Sequence, residues 1–320
     1  MKKKIIIISG DPNSINTEII YKSWKNLNKF KRKNIYIISN YMLMKKQINK
    51  LKYRINLIKV KNIYENLSAN GLKILDIPLK FDDPFNVSFK SSSIFVKNSL
   101  DLGHKLALDK NVKGIINCPL NKSLLQQKNL GITEYLASKC KVKNNSEVML
   151  IKSKNFSVIP ITTHIKLKNV SKKISLKLIV NKVRTFKNWY KSSYKKNPKI
   201  GILGLNPHNA ELIADSEEKK IIIPAIKKLR KKGYNIKGPL VSDTVFINDY
   251  KNYDVIVGMY HDQVLTPFKT IFKFDAINVT LGLKYLRLSP DHGVARNIIK
   301  RKIADHSSLT KCIEFLNKFK

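Results

Sequence analysis

The chain alternates short, nearly unbroken apolar runs with longer stretches in which apolar positions recur roughly every three or four residues. Residues 5–9, 34–39, 113–118, 148–152, 157–162, 199–205 and 254–259 are of the first kind. Continuous β-branched runs of this length suit strands covered on both faces of a sheet. Residues 15–27, 95–109, 174–190, 217–231 and 309–319 are of the second kind and are expected to be helices. In the fourth of these, Asp215 and Glu218 have the spacing of a capping box, and Gly233 stands just past the end. In the last, Leu309, Cys312, Ile313 and Leu316 share one stripe. The β-α rhythm predicts an α/β fold with a largely parallel sheet. No repeat and no Gly/Pro-rich spacer interrupts it, so any division into lobes comes from chain crossover.

Composition changes this picture little, and charge less than it first suggests. A chain of 320 residues can bury a core for one large domain or two lobes, and its hydrophobic fraction of 43% is ordinary. The net charge of +40 points on its face to a nucleic-acid or anionic-membrane binder. Only seven of the 62 cations are arginine, however, and the lysines are scattered over every expected surface. Nucleic-acid readers rely on arginine forks gathered on one face. With no RRM, zinc-finger or KH-like signature, the excess reads as compositional bias, and neither nucleic acid nor membrane is expected as a partner. Cys118, Cys140 and Cys312 are odd in number and lack C-x-x-C spacing, as free thiols in a reducing compartment would be. The apolar run after Met1 is cut short by Gly10-Asp11-Pro12, too soon for a signal peptide. A soluble, cytoplasmic protein is expected.

Candidate chemistry gathers where strands should end. His164 follows the run at 157–162, His208 follows the run at 199–205, and His261 follows the run at 254–259. In open α/β sheets the loops beyond the carboxyl ends of strands form the ligand crevice. Three imidazoles so placed could converge on one divalent ion with positions left open for substrate. Any one of them alone is more often an ordinary surface or core histidine, and the wide spacing leaves both readings open. Asp262 would orient an imidazole or merely cap a loop. The densest segment is 260–293, which adds Lys269, Asn278 and Arg287 at expected loop positions. Fixed cations with a directional amide suit a phosphate, and Arg287 between Leu286 and Leu288 would need a partner for its charge. Asp291-His292-Gly293 is expected to turn into a helix, either approaching a nucleotide or simply capping it through Asp291. There is no G-x-G-x-x-G after any strand, and P-loop, nucleophile-elbow and H-E-x-x-H patterns are also missing.

Taken together, these blocks resemble the 4-hydroxythreonine-4-phosphate dehydrogenase family of pyridoxal phosphate biosynthesis over nearly the whole chain. The resemblance rests on Gly10-Asp11-Pro12, Pro119-Leu120-Asn121-Lys122, Thr133-Glu134, Thr162-Thr163-His164 and Gly204-Leu205-Asn206-Pro207-His208 with Glu211. It continues through Gly238-Pro239-Leu240, Asp243-Thr244, Tyr260-His261-Asp262-Gln263, residues 278–283 and Asp291-His292-Gly293. It implies a two-lobed fold like that of isocitrate and isopropylmalate dehydrogenases, a homodimer, and NAD (or NADP) bound without a Rossmann fingerprint. It further implies that His164, His208 and His261 ligate one divalent ion (Zn, Mg or Co), with ligands drawn from both subunits. Thr133, Lys269, Asn278 and Arg287 would hold the substrate, and Asp291, His292 and Gly293 would meet the nucleotide. Asp243 and Asp262 are the candidates to take the hydroxyl proton.

The implied reaction oxidises the C3 hydroxyl of 4-phosphooxy-L-threonine and then loses CO₂, giving 3-amino-2-oxopropyl phosphate. The expected lobes are 1–125 with 265–320 on the nucleotide side, and 126–264 carrying metal and dimer contacts, with the site in the cleft between them. Three departures stand out. Ile132 replaces a substrate-contacting histidine of the family, and the loop before it looks shortened. Asn13, Ser14 and Asn16 stand where glycines and alanine are usual. Arg296, Asn297 and Lys300 replace small and acidic residues after the His-Gly turn. A relative acting on another phosphorylated hydroxy acid, such as a phosphothreonate, is the alternative that Ile132 keeps open.

Overall fold

The computed structural model describes residues 3–65, 69–126, 131–142, 146–273 and 275–319. The chain divides into two compact units, Met1–Leu136 with Lys284–Lys320, and Ala137–Leu283. These boundaries fall later in the chain than the expected ones after residues 125 and 264, so the segment 265–283 belongs to the second unit.

The first unit contains β1 (Lys4–Ile8), β2 (Ile35–Ser39), β3 (Asn56–Val60), β4 (Gly71–Asp76) and β5 (Val112–Asn117). The second contains β6 (Val148–Lys152), β7 (Ser157–Pro160), β8 (Ile200–Leu203), β9 (Ile236–Leu240), β10 (Val255–Gly258) and β11 (Ile277–Leu281). The chain then returns to the first unit with β12 (Arg287–Pro290). Spatial order in the first unit is β3-β4-β2-β1-β5-β12, all parallel. In the second it is β11-β6-β7-β10-β8-β9, with β6 antiparallel to both its neighbours and the rest parallel. The expected α/β class with a largely parallel sheet is thus observed.

All seven expected strands form, because each is a run of buried aliphatics; Ile5 to Ile8 are at most 2% exposed. Helices Asn16–Asn26, Phe89–Ala107, Leu176–Tyr194 and Ser307–Lys318 also form near their expected ranges. The third is capped by the Ser175 side chain accepting from Leu178 N–H, and the second by Ser88 accepting from Ser91 N–H. The 217–231 helix forms differently, starting with a π turn over Glu218–Ile222 before Ile223–Arg230. Its capping box does not form: Glu218 turns away to the end of β8, and Ser216 Oγ accepts from Lys219 N–H at 3.3 Å in place of an Asp215 cap. Gly233 does take the left-handed conformation after its end, at φ 72°.

Gly10 closes the turn after β1 with φ 76°, and a Cβ there would run into the carbonyl oxygens of Pro119 and Cys118. Gly10→Ala is therefore expected to lower unfolding free energy by roughly 2–4 kcal/mol, read by urea denaturation.

Candidate active site

The three histidines sit where the strand pattern put them. β7, β10 and β8 are parallel neighbours in that order, and His164, His261 and His208 each follow the carboxyl end of one of them. Pairing of β7 with β10 continues past the strands: Ile161 N–H donates to the Gly258 carbonyl at 2.8 Å, and Thr162 Oγ1 donates to the Met259 carbonyl at 2.8 Å. That extension carries His164 alongside His261, and their ring centroids lie 5.8 Å apart. His261 Nδ1 is 2.6 Å from Asp262 Oδ1, the contact that fixes which ring nitrogen faces outward.

His208 stands apart from this pair. Its Nε2 is 3.8 Å from Asp243 Oδ2 and its Nδ1 is 3.4 Å from Glu211 Oε1. Among the described residues, no group of three or more His, Cys, Asp or Glu side chains comes close enough to hold a metal ion. One chain therefore brings two of the three imidazoles together and leaves His208 with carboxylates.

The loop bearing His208 is strained and tightly held. Residues 208–212 all have positive φ, between 46° and 57°, although none is glycine. Such residues are each disfavoured by about 1–2 kcal/mol and persist only where the surroundings over-determine them. Here the clamp is Glu218, buried with 0% exposure. Its carboxylate accepts from the amides of Leu205 at 2.7 Å and Asn206 at 2.9 Å, and from Asn206 Nδ2 at 3.0 Å. Burial pushes this carboxyl's pKa up, but the hydrogen bonds from Asn206 and Leu205 outweigh it and hold the group below its ordinary 4.5. A carboxyl with a lowered folded pKa contributes stability above the unfolded value and loses it as pH falls through the folded one. Glu218→Gln is expected to lose about 1–3 kcal/mol at pH 7. Its stability should then fall less than the parent's as pH drops below about 4.5, a difference that chemical denaturation at several pH values would show.

Gln263 is the residue whose role the sequence did not disclose. Its Nε2 donates to the Gly204 carbonyl at 2.7 Å and to Ser242 Oγ at 2.8 Å, while its Oε1 accepts from Met259 N–H at 2.6 Å. One amide thus ties together the ends of β8 and β10 and the turn that carries Asp243. Its place in the Tyr-His-Asp-Gln block, next to a motif histidine, was the available signal.

The expected substrate residues are not in loops. Lys269 lies in the helix His261–Phe272, Asn278 in β11 and Arg287 at the start of β12. Asn278 Oδ1 is enclosed and accepts no hydrogen bond from the described residues. In the first unit Arg287 is 3% exposed. Its Nε donates in a short hydrogen bond to Asn117 Oδ1 at the end of β5, and its Nη1 donates to Thr133 Oγ1 at 3.4 Å. Burial pushes the guanidinium pKa down to about 10, with Cys312, Glu134 and Tyr285 opposing. Thr133 and Ile132 begin the helix Ile132–Lys139, while residues 127–130, in the loop that looks shortened, lie outside the described residues.

The turn at 291–293 also departs from expectation. No α-helix follows Gly293; a single 3-10 turn, Arg296–Ile298, does, and the next helix is Ser307–Lys318. The apolar residues of this stretch are too few and too interrupted by cations to pack a helix face. That 3-10 turn has no side-chain cap, and Asp291 N–H donates instead to Ser308 Oγ at 2.9 Å. His292 Nδ1 is 3.0 Å from the Gly293 carbonyl, and its enclosed Nε2 has no hydrogen-bond partner. No helix among the described residues is long and apolar enough to cross a membrane.

This α/β fold, with its three histidines beyond the carboxyl ends of parallel strands, is similar in architecture to the β-decarboxylating dehydrogenases. A structure of that class from Thermococcus kodakarensis superimposes with a TM-score of 0.51 at 10% identity, covering 99% of this chain and 82% of its own, a likeness of fold alone. More specifically, residues 31–316 match the model of the pyridoxal phosphate biosynthetic protein PdxA, and the chain belongs to that family. It is 36% identical to the 4-hydroxythreonine-4-phosphate dehydrogenase of Sulfurihydrogenibium sp. (strain YO3AOP1), over 97% of this chain and 96% of that one. A relative from Oceanobacillus iheyensis, provisionally named a D-threonate 4-phosphate dehydrogenase, is 30% identical over 98% and 96%. The crystal structure of the 4-hydroxythreonine-4-phosphate dehydrogenase of Klebsiella pneumoniae superimposes with a TM-score of 0.84 at 28% identity, over 99% of both chains. The chain is thus a PdxA-family oxidoreductase.

Proposed function

We propose that the protein oxidises the C3 hydroxyl of 4-phosphooxy-L-threonine with a nicotinamide dinucleotide and a divalent metal ion. The product β-keto acid then loses CO₂ to give 3-amino-2-oxopropyl phosphate, a step toward pyridoxal phosphate. The observation that carries this reading is the row of His164, His261 and His208 at the ends of three adjacent parallel strands. Their donor chemistry fits a borderline divalent ion such as Zn or Co, and Mg less closely. Because one chain pairs only His164 with His261, a homodimer is proposed in which a second copy completes the ligand set. When bound, the ion acidifies the substrate hydroxyl and stabilises the charge that develops on oxygen.

The chain's own residues do the rest. Lys269, Asn278, Thr133 and Arg287 hold the phosphorylated substrate, two of them as fixed cations and two as directional polar groups. Asp262 keeps the His261 ring in one orientation through the 2.6 Å contact. Asp243, exposed beside His208, is placed to accept the hydroxyl proton. Asp243→Asn should lower kcat by about 10²-fold or more; an unchanged kcat would take Asp243 out of that role. The cytosol is the compartment proposed, consistent with three buried free cysteines.

The second reading, a dehydrogenase of D-threonate 4-phosphate, is favoured by Ile132 and by the Oceanobacillus relative's name. Dinucleotide reduction with each substrate in parallel separates the two. Turnover of 4-phosphooxy-L-threonine supports the first reading, and turnover of the threonate alone supports the second.

A further inference from the structure

Cations gather without carboxylates in the segment after His292. Between Gly293 and Ala304 there are four, Arg296, Lys300, Arg301 and Lys302, and the next acid is Asp305. Two of the chain's seven arginines are here, so the scatter of lysines elsewhere does not account for the cluster.

The segment is built rather than loose. Ala295, Lys300 and Lys302 take left-handed φ values of 46°, 69° and 62°, which folds the backbone tightly. Ile15 N–H donates to the Val294 carbonyl at 3.3 Å, and Lys22 Nζ donates to the carbonyls of Lys302 and Ala304 at 2.9 and 3.0 Å. Arg296 Nη2 lies 3.5 Å from Oδ2 of Asp11, whose side chain is wholly buried, while the Arg296 side chain stays 53% exposed. One edge of the guanidinium is therefore anchored and the remainder faces outward. Lys300 Nζ lies over the Phe85 ring, 5.2 Å from its centre. Asn297, between these two cations in sequence, is exposed.

Nicotinamide dinucleotides differ at the 2′ position of the adenosine ribose. A free 2′-hydroxyl is held by a carboxylate, whereas a 2′-phosphate needs cations and is repelled by one. This segment offers cations only. Three carboxylates from elsewhere in the chain reach it, each already engaged: Asp11 accepts from the amides of Asn13 at 2.8 Å and Asn121 at 3.3 Å, Glu18 accepts from Ala304 N–H at 3.0 Å, and Asp83, which interacts with Lys300, accepts from Phe85 N–H at 2.8 Å. We infer that Arg296 and Lys300 form a 2′-phosphate subsite and that the protein prefers NADP(H) over NAD(H). The inference rests on the reading of the 291–293 turn as the nucleotide site.

The test is fluorescence titration of the full-length protein with NADPH and NADH, with competition by 2′,5′-ADP and by 5′-AMP. NADPH should bind about 10-fold tighter or more, and added salt should narrow that gap because the cations are exposed. Asn297→Asp, a surface change, should weaken NADPH roughly 10-fold and leave NADH unchanged or tighter. Equal affinities, tighter NADH, or an equal effect of Asn297→Asp on both would overturn the subsite while leaving the dehydrogenase reading intact. A folded protein that bound neither dinucleotide would overturn the nucleotide site and the subsite together.

Discussion

His261→Ala is expected to lower kcat/KM for dinucleotide reduction by about 10³-fold or more, with little change in stability. His261 opens a helix at the end of β10, its ring faces that of His164, and about a third of it is exposed. Metal assistance to alkoxide formation is worth several kcal/mol, and about 1.4 kcal/mol corresponds to each factor of ten in rate. If the three histidines ligate the ion as proposed, losing one should forfeit most of it. His208→Ala should show a loss of the same order although its ring lies apart from the other two in the single chain. The double variant should be barely worse than either single one, since groups that act as one unit are not additive. Metal content should fall in parallel, while urea denaturation stays within about 0.5 kcal/mol of the parent. Retained metal-dependent turnover in either single variant would remove that histidine from the set.

Arg287→Met should act on substrate binding before anything else. The guanidinium is enclosed, donates to Asn117 and Thr133, and carries a charge that burial alone disfavours. Glu134 favours that charge from within the protein, and the proposed substrate phosphate would be a second anion for it. KM for the phosphorylated substrate is expected to rise about 10²-fold or more, with kcat falling less. Stability should shift by only about 1–2 kcal/mol, chiefly because Asn117 loses its donor. Arg287→Lys should recover the charge but little of the affinity, since lysine cannot reproduce the planar fork. A variant with unchanged KM for substrate would show that Arg287 is a structural cation.

Strands made of unbroken aliphatic runs are legible in the sequence, and those that are not break that rule for identifiable reasons. β9 contains Gly238 and Pro239, which argue against a strand, and is tolerated because it lies at the end of the second unit's strand order. β4 carries Lys73, only 1% exposed, whose ammonium reaches the Lys33 carbonyl at 2.5 Å and lies over the Tyr36 ring. β11 and β12 hold Asn278 and Arg287, and their polar chemistry hid the strand pattern.

The histidines' placement at strand ends was legible because three apolar runs each stopped just before one. The role of Glu218 is not legible from capping-box spacing, which is local, because its partners lie twelve and thirteen residues back at the end of β8. The positive-φ turn at 208–212 contains no glycine, so nothing in its composition announces it.

The most direct measurement is dinucleotide reduction and CO₂ release with 4-phosphooxy-L-threonine, before chelation, after chelation and after a divalent ion is returned. Metal-dependent oxidation with decarboxylation should give equal amounts of reduced dinucleotide and CO₂, loss of both on chelation, and recovery of both with Zn or Co. Turnover that survives complete removal of metal would contradict it.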